Sequence, residues 1–149
     1  MEHKSILLVE DNPDDEELTL LAFRKSQLTQ AIYIVRDGAE ALDYLFGTGA
    51  YSDRAVYRLP SVILLDLKLP KVSGLEVLRR VRATEHTRLL PVVILTSSRE
   101  EHDLIESYNL GVNSYIVKPV EFEKYTQTVG HVGVYWASLN EPAPWQEGR

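Results

Sequence analysis

Five side chains, widely separated in the sequence, carry groups that could act together: Glu10 and Asp11, Asp66, Thr96 and Lys118. Each follows directly on a short apolar run. Three carboxylates brought to one spot repel one another unless something neutralises them. A hard divalent cation with oxygen ligands suits such a set, and Mg²⁺ would keep several waters and leave room for phosphate oxygens. A hydroxyl and an ammonium beside the same spot are what a transferred phosphoryl group needs around its equatorial oxygens. The nucleophile would then be a carboxylate, and the product an acyl phosphate. Taken singly, each residue has a plainer role: Asp66 ends a strand, Thr96 caps a helix, Lys118 is a solvated lysine. Agreement among four strand ends favours the chemistry.

The elements that must bring these groups together follow from the apolar pattern. Residues 61–74 hold four consecutive apolar residues, Val62 to Leu65, running into Asp66, with Pro70, Ser73 and Gly74 breaking the chain after it. Unbroken apolarity over so short a run suits a strand covered on both faces. A carboxylate at the end of such a strand lies where open α/β sheets bind ligands. The run at 5–9 is a first strand, ending in Glu10 and Asp11. Asn12 then caps a helix with Pro13 at its first position and acids from Asp14 to Glu17 in its first turn. Leu18, Leu21, Ala22, Lys25 and Leu28 follow at helical spacing. Further strands are expected at 32–35, 92–95 and 113–117. Further helices are expected after Gly38, from about Gly74 with Leu75, Leu78 and Val81 on one face, at 99–110, and at 120–139. Residues 47–60 form the longest irregular stretch, in which Tyr51, Val56, Tyr57 and Leu59 suggest partial packing. Five strands alternating with five helices predict a mostly parallel sheet with helices on both faces.

Composition narrows the function classes. The 149 residues suit one domain, and no cysteine is present, which excludes a disulfide scaffold, a thiolate metal site and a Cys nucleophile. A net charge of −6 argues against nucleic-acid binding. No apolar run reaches the length of a membrane span and the first ten residues do not form a secretory signal, so a cytoplasmic protein without membrane contact is expected. His3, His86, His102 and His131 show no metal-ligand spacing, and Arg79, Arg80 and Arg82 read as a solvated helix face.

The segments LLVEDNPDD, DLKLPKVSGLEVL, LTSS and YIVKP together resemble the receiver domain of two-component response regulators. The resemblance runs from about Lys4 to Leu139. It implies a flavodoxin-like three-layer sandwich, doubly wound, with strand order 2-1-3-4-5. It also implies a receiver domain over 1–139 and a short tail over 140–149, without an output domain. Asp66 would accept a phosphoryl group from a sensor histidine kinase in a Mg²⁺-dependent reaction. Asp11, Asp66 and the Lys68 carbonyl would bind the ion directly and Glu10 through water. Lys118 would pair with the phosphoryl oxygens, the Lys118–Pro119 peptide would be cis, and Thr96 with Tyr115 would form a switch pair. A narrower similarity, to the stand-alone receivers serving bacterial phytochromes, rests on the 47–60 loop and the VGVYWASLNEP ending.

Two rival classes share part of this pattern. An Asp-nucleophile phosphohydrolase needs a second acid two residues after the nucleophile, where this chain has Lys68. A flavin-binding module of similar topology needs a phosphate loop after the first strand, where Glu10 and Asp11 would repel phosphate.

The last helix carries Phe122, Tyr125, Val129, Val132, Trp136 and Leu139 as its expected inward stripe. Val134 and Tyr135 add apolar surface beyond it, Gly130 and Gly133 leave notches, and Trp145 follows in the tail. A homodimer through Val134, Tyr135 and Trp145 is therefore expected.

Overall fold

In the computed structural model, which describes residues 4–54 and 58–144, every strand runs the same way. The elements are β1 (Ser5–Val9), α1 (Pro13–Lys25), β2 (Ala31–Val35), α2 (Gly38–Phe46), β3 (Val62–Leu65), α3 (Gly74–Ala83), β4 (Val92–Thr96), α4 (Glu101–Asn109), β5 (Ser114–Val117) and α5 (Phe122–Val134). The strands form one sheet in the order β2-β1-β3-β4-β5, parallel throughout. The expected architecture and strand order both hold.

Alternation along each strand divides the core into two layers, because successive side chains point to opposite faces. Leu7, Val9, Ile63, Leu65, Val92 and Ile94 pack with Ala41, Leu45, Val77, Leu78 and Val81 of α2 and α3. Ile6, Leu8, Val62, Leu64, Val93 and Leu95 pack with Ala22 and Phe23 of α1 and Tyr125 and Val129 of α5. An unbroken apolar run is what a strand needs when both faces are covered.

The helices depart from the sequence reading in several places. On α1 the buried stripe is Thr19, Ala22 and Phe23, while Lys25 is exposed. Phe23 packs inward where Gly133 lies opposite it on α5. A Cβ on Gly133 would come within 2.6 Å of both the Phe23 ring and Leu28, and one on Gly130 would meet Ser26. The glycine notches therefore receive α1 of the same chain, and the cost of glycine in a helix is offset by this close approach. After α5 the chain winds into a π-helical turn, Tyr135–Leu139. The wider turn buries Ala137 completely and turns Leu139 outward, 70% exposed. Phe122, also expected on the inward stripe, is exposed as well.

α4 buries polar residues: Asp103 and Ser107 face inward, and Leu104, Ile105 and Tyr108 face solvent. Arg82 is no solvated residue either. Its guanidinium donates to the carbonyls of Gly111, Arg88 and Leu90 and to Asn113 Oδ1, tying together the loops before β4 and β5. In the long loop Tyr51 packs against the core of α2 and donates to Glu40 at 2.7 Å, while Val56 and Tyr57 lie outside the described residues. Among the described residues no helix is long and apolar enough to cross a membrane.

Candidate functional site

Register carries the reactive side chains to one edge. Val9 pairs with Leu65 across β1 and β3, and Thr96 with Val117 across β4 and β5. One further backbone rung continues each strand: Glu10 N–H donates to Val35 O, Asp66 N–H to Val9 O, and Lys118 N–H to Thr96 O at 2.7 Å. Glu10, Asp66 and Lys118 thus project from fixed backbone at the C-terminal edge. Asn12 caps α1 by accepting from the N–H groups of Asp14 and Asp15, which fixes the acidic segment above the sheet.

At this edge Asp11, Asn12, Pro13, Asp15, Asp66, Lys68, Thr96, Ser97 and Lys118 line one pocket. Single carboxylate oxygens of Glu10, Asp11 and Asp66 lie within 4.8 Å of one another. The Lys118 ammonium stands among the acids, 2.8 Å from Glu10, 2.8 Å from Asp15 and 2.9 Å from Asp66. Its three N–H donors are therefore all engaged by carboxylates. Burial works to lower its pKa, but the hydrogen bonds to Asp15, Glu10 and Asp66 together raise it well above the ordinary lysine range. The lysine is charged.

The Lys118 ammonium does not balance Glu10, Asp11, Asp15 and Asp66, and the Lys68 ammonium at the same pocket is paired with Asp103, so the pocket keeps an excess of negative charge. The donor set is all oxygen, and the three carboxylates converge. It fits a hard divalent cation. Burial pushes the Glu10 carboxyl up to about 7, with Lys118 acting against the rise and Asp66 adding to it. The metal-free fold therefore holds a proton on Glu10 more tightly than the unfolded chain, whose value is near 4.5. That contribution to stability is present below the unfolded value and lost as pH rises through about 7. A divalent cation needs the carboxylate form. Its apparent affinity should fall up to about tenfold per pH unit below neutrality and level off above it, as calorimetric titration at several pH values would record.

Thr96 is fully buried at the end of β4, and its Oγ1 accepts from Ser98 N–H at 3.3 Å. Tyr115 is half-buried on β5, and its hydroxyl donates to the Ser98 carbonyl at 3.1 Å. The structure therefore joins the two expected switch residues through Ser98. The Lys118–Pro119 peptide is trans, contrary to expectation, as is every peptide among the described residues. Trans is the favoured form even before proline. Val134 is half-buried and Tyr135 half-exposed, far along the chain from the pocket, and Trp145 lies outside the described residues.

Asp15 was absorbed in the sequence into a dipole-favouring first turn. Nothing in its spacing set it apart from the other acids of that turn. Asp103 and Ser98, which bond to each other at 2.6 Å beside Lys68, gave no such signal.

Gly74 links the fold to the pocket. A Cβ there would be driven into the Asp66 carbonyl oxygen and would lie 2.7 Å from Leu67 Cα, both of them backbone. Gly74→Ala should lower the thermal midpoint and slow any reaction of Asp66 by tens of times, since small misplacements of reacting groups carry such costs. An unchanged rate would mean that α3 does not position Asp66.

The response regulator receiver domain family matches residues 6–130. The probable methanogenesis regulatory protein FilR2 of Methanothrix harundinacea is 43% identical over 140 residues, covering 93% of this chain and 88% of that protein. The Mn²⁺-bound form of response regulator Rcp1, a protein of Synechocystis, superposes with a TM-score of 0.87 at 35% identity, covering 94% of this chain and 99% of that one. The bacteriophytochrome response regulator AtBRR superposes with a TM-score of 0.72 at 56% identity, covering 95% of this chain and 100% of that one.

Proposed function

The chain belongs to the response regulator receiver domain family and acts in phosphorelay signalling with a histidine kinase, and on that premise we propose how its own residues perform the transfer. Asp66 is the phosphoacceptor. One of its carboxylate oxygens attacks the phosphorus of a phosphohistidine. The new P–O bond forms as the P–N bond breaks, and the imidazole nitrogen keeps the electron pair and takes a proton from solvent. Lys118 turns its ammonium from a carboxylate to the incoming oxygens and balances their charge. The observation that carries this reading is the Lys118 ammonium bridging Glu10 and Asp66 at the edge of the sheet.

Receiver domains bind a divalent metal, and Mg²⁺ is the ion proposed here. Glu10, Asp11, Asp66 and the carbonyl of Lys68 would hold it, and it would lower the repulsion between the acids and the phosphoryl group. Once Asp66 is phosphorylated, the Thr96 hydroxyl turns to a phosphoryl oxygen. Tyr115 then exchanges its bond to Ser98 for the vacated space.

Resemblance to AtBRR supports a bacterial phytochrome as the kinase partner. The chain is a relay and not a turnover enzyme. A phosphohydrolase reading is disfavoured by Lys68, whose side chain pairs with Asp103 and leaves no second acid at that position. Acetyl phosphate with Mg²⁺ separates the classes. A receiver is labelled once and hydrolyses slowly, whereas sustained turnover of other phosphomonoesters would establish an enzyme. EDTA should abolish the labelling.

Partnering with a second copy through the end of α5 completes the proposal. Tyr135 stacks edge-on against Trp136 at 5.1 Å and stays 49% exposed beside the exposed Leu139. Since Gly130 and Gly133 are filled by α1, the apolar surface that α5 offers a partner lies at its C-terminal end. Tyr135→Glu should convert a sedimenting dimer to a monomer that still accepts phosphate. A wild-type chain that is monomeric at tens of micromolar, phosphorylated or not, would rule the dimer out.

A further inference from the structure

Lys68 lies two residues beyond Asp66 and lines the same pocket, yet its ammonium points to α4. It sits 3.2 Å from Asp103 Oδ2, an oxygen that also accepts from the Ser98 hydroxyl at 2.6 Å. Asp103 is buried, although α4 turns its larger apolar side chains outward. The buried carboxylate and Ser107 thus replace an apolar inward face. From this point contacts run both ways. The Lys68 N–H donates to Asp66 Oδ1 at 3.3 Å, while Ser98 bonds to Thr96 and to Tyr115.

We propose that Lys68 is a second cation for the phosphoryl group and that Asp103 competes with that group for it, so that filling Asp66 frees the first turn of α4 from the phosphoacceptor loop. The proposal rests on Asp66 being the acceptor. Three considerations lead to it. A phosphoryl group brings about two negative charges at neutral pH, into a pocket whose Lys118 already serves three carboxylates. Lys68 is the other ammonium lining that pocket, 63% exposed on a flexible stem, so it moves at little cost. The lysine end of this pair is exposed and screened by solvent, so Lys68 is weakly held, whereas the buried Asp103 stays bonded to Ser98 when the lysine leaves. Losing Lys68 leaves Asp103 with an uncompensated buried charge, which gives the first turn of α4 and the Ser98 segment a reason to move. By linkage, whatever weakens the hold of Asp103 on Lys68 must strengthen phosphoryl binding equally.

Beryllofluoride, which forms a stable phosphoryl-like adduct on carboxylates, is the probe, titrated against the full chain in Mg²⁺ with fluorine NMR. Asp103→Asn keeps an acceptor for Ser98 and should bind the probe at least about threefold more tightly than wild type, while Lys68→Ala should bind it at least about threefold more weakly. In the Lys68→Ala background the effect of Asp103→Asn should vanish. A gain that persists there would mean that Asp103 acts through its own charge or through α4 alone, and the competition is wrong. Lys68→Ala alters an exposed side chain and tests the proposal even if Asp103→Asn folds poorly: unchanged affinity overturns it. A wild-type chain that does not bind beryllofluoride at all would instead remove the phosphoacceptor reading beneath it.

Discussion

Asp66→Asn is expected to abolish incorporation of acid- and alkali-labile phosphate from any donor while leaving the fold intact. The substitution keeps the shape of the side chain and removes the nucleophilic oxygen charge. Its effect on stability should be small, because the Lys118 ammonium keeps Glu10 and Asp15 as partners. Removing one acid from a crowded acidic pocket also relieves repulsion. The thermal midpoint should therefore stay near that of the wild type, so loss of labelling cannot be ascribed to unfolding. Full labelling of the Asn variant would take Asp66 out of the role assigned to it.

Lys118→Ala should be the more damaging change to the molecule as a whole. The ammonium is 6% exposed and sits against Glu10 and Asp66, which are 2% and 10% exposed at their side chains. Breaking a buried ion pair on one side costs about 3–5 kcal/mol, since the abandoned charges remain buried. Here three carboxylates lose their shared cation, and the metal-free variant should unfold at a clearly lower temperature. A divalent ion should then stabilise the variant by more than it stabilises the wild type, because the ion takes over the neutralisation. Phosphoryl acceptance should still fall by about a hundredfold with metal present, the loss expected when a charge-stabilising donor is removed from developing oxyanions. Equal metal stabilisation in variant and wild type would show that Lys118 does not hold the acidic set together.

The sheet was legible because each strand is built on a short apolar run bounded by polar, charged or Pro residues. The residues ending those runs were legible as a group because a parallel sheet leaves their type as the only free variable. Strand order came from resemblance; no local pattern in the chain encodes which strands become neighbours. The rest was hidden where tertiary packing overrides periodicity. Leu104, Ile105 and Tyr108 have the spacing of a core stripe, but the space under α4 is filled by Asp103 and its bonds to Ser98 and Lys68. Gly130 and Gly133 suggested room for a partner chain, and Ser26 and Phe23 of the same chain occupy it. Arg82 looked like its two arginine neighbours until its acceptors, up to 31 positions away, were in place. Asp15 was hidden differently. Three further acids share its turn, and only the position of Lys118 distinguishes it.

The most direct test of the account is to locate the phosphoryl group itself. Wild-type protein labelled from acetyl phosphate in Mg²⁺ can be reduced with borohydride, which converts an aspartyl phosphate to homoserine, and then digested and sequenced by mass spectrometry. Homoserine at position 66, absent from protein treated without donor or with EDTA, is the predicted result. Reduction at Asp11 or another acid, or phosphate recovered on a histidine or a hydroxyl side chain, would contradict it.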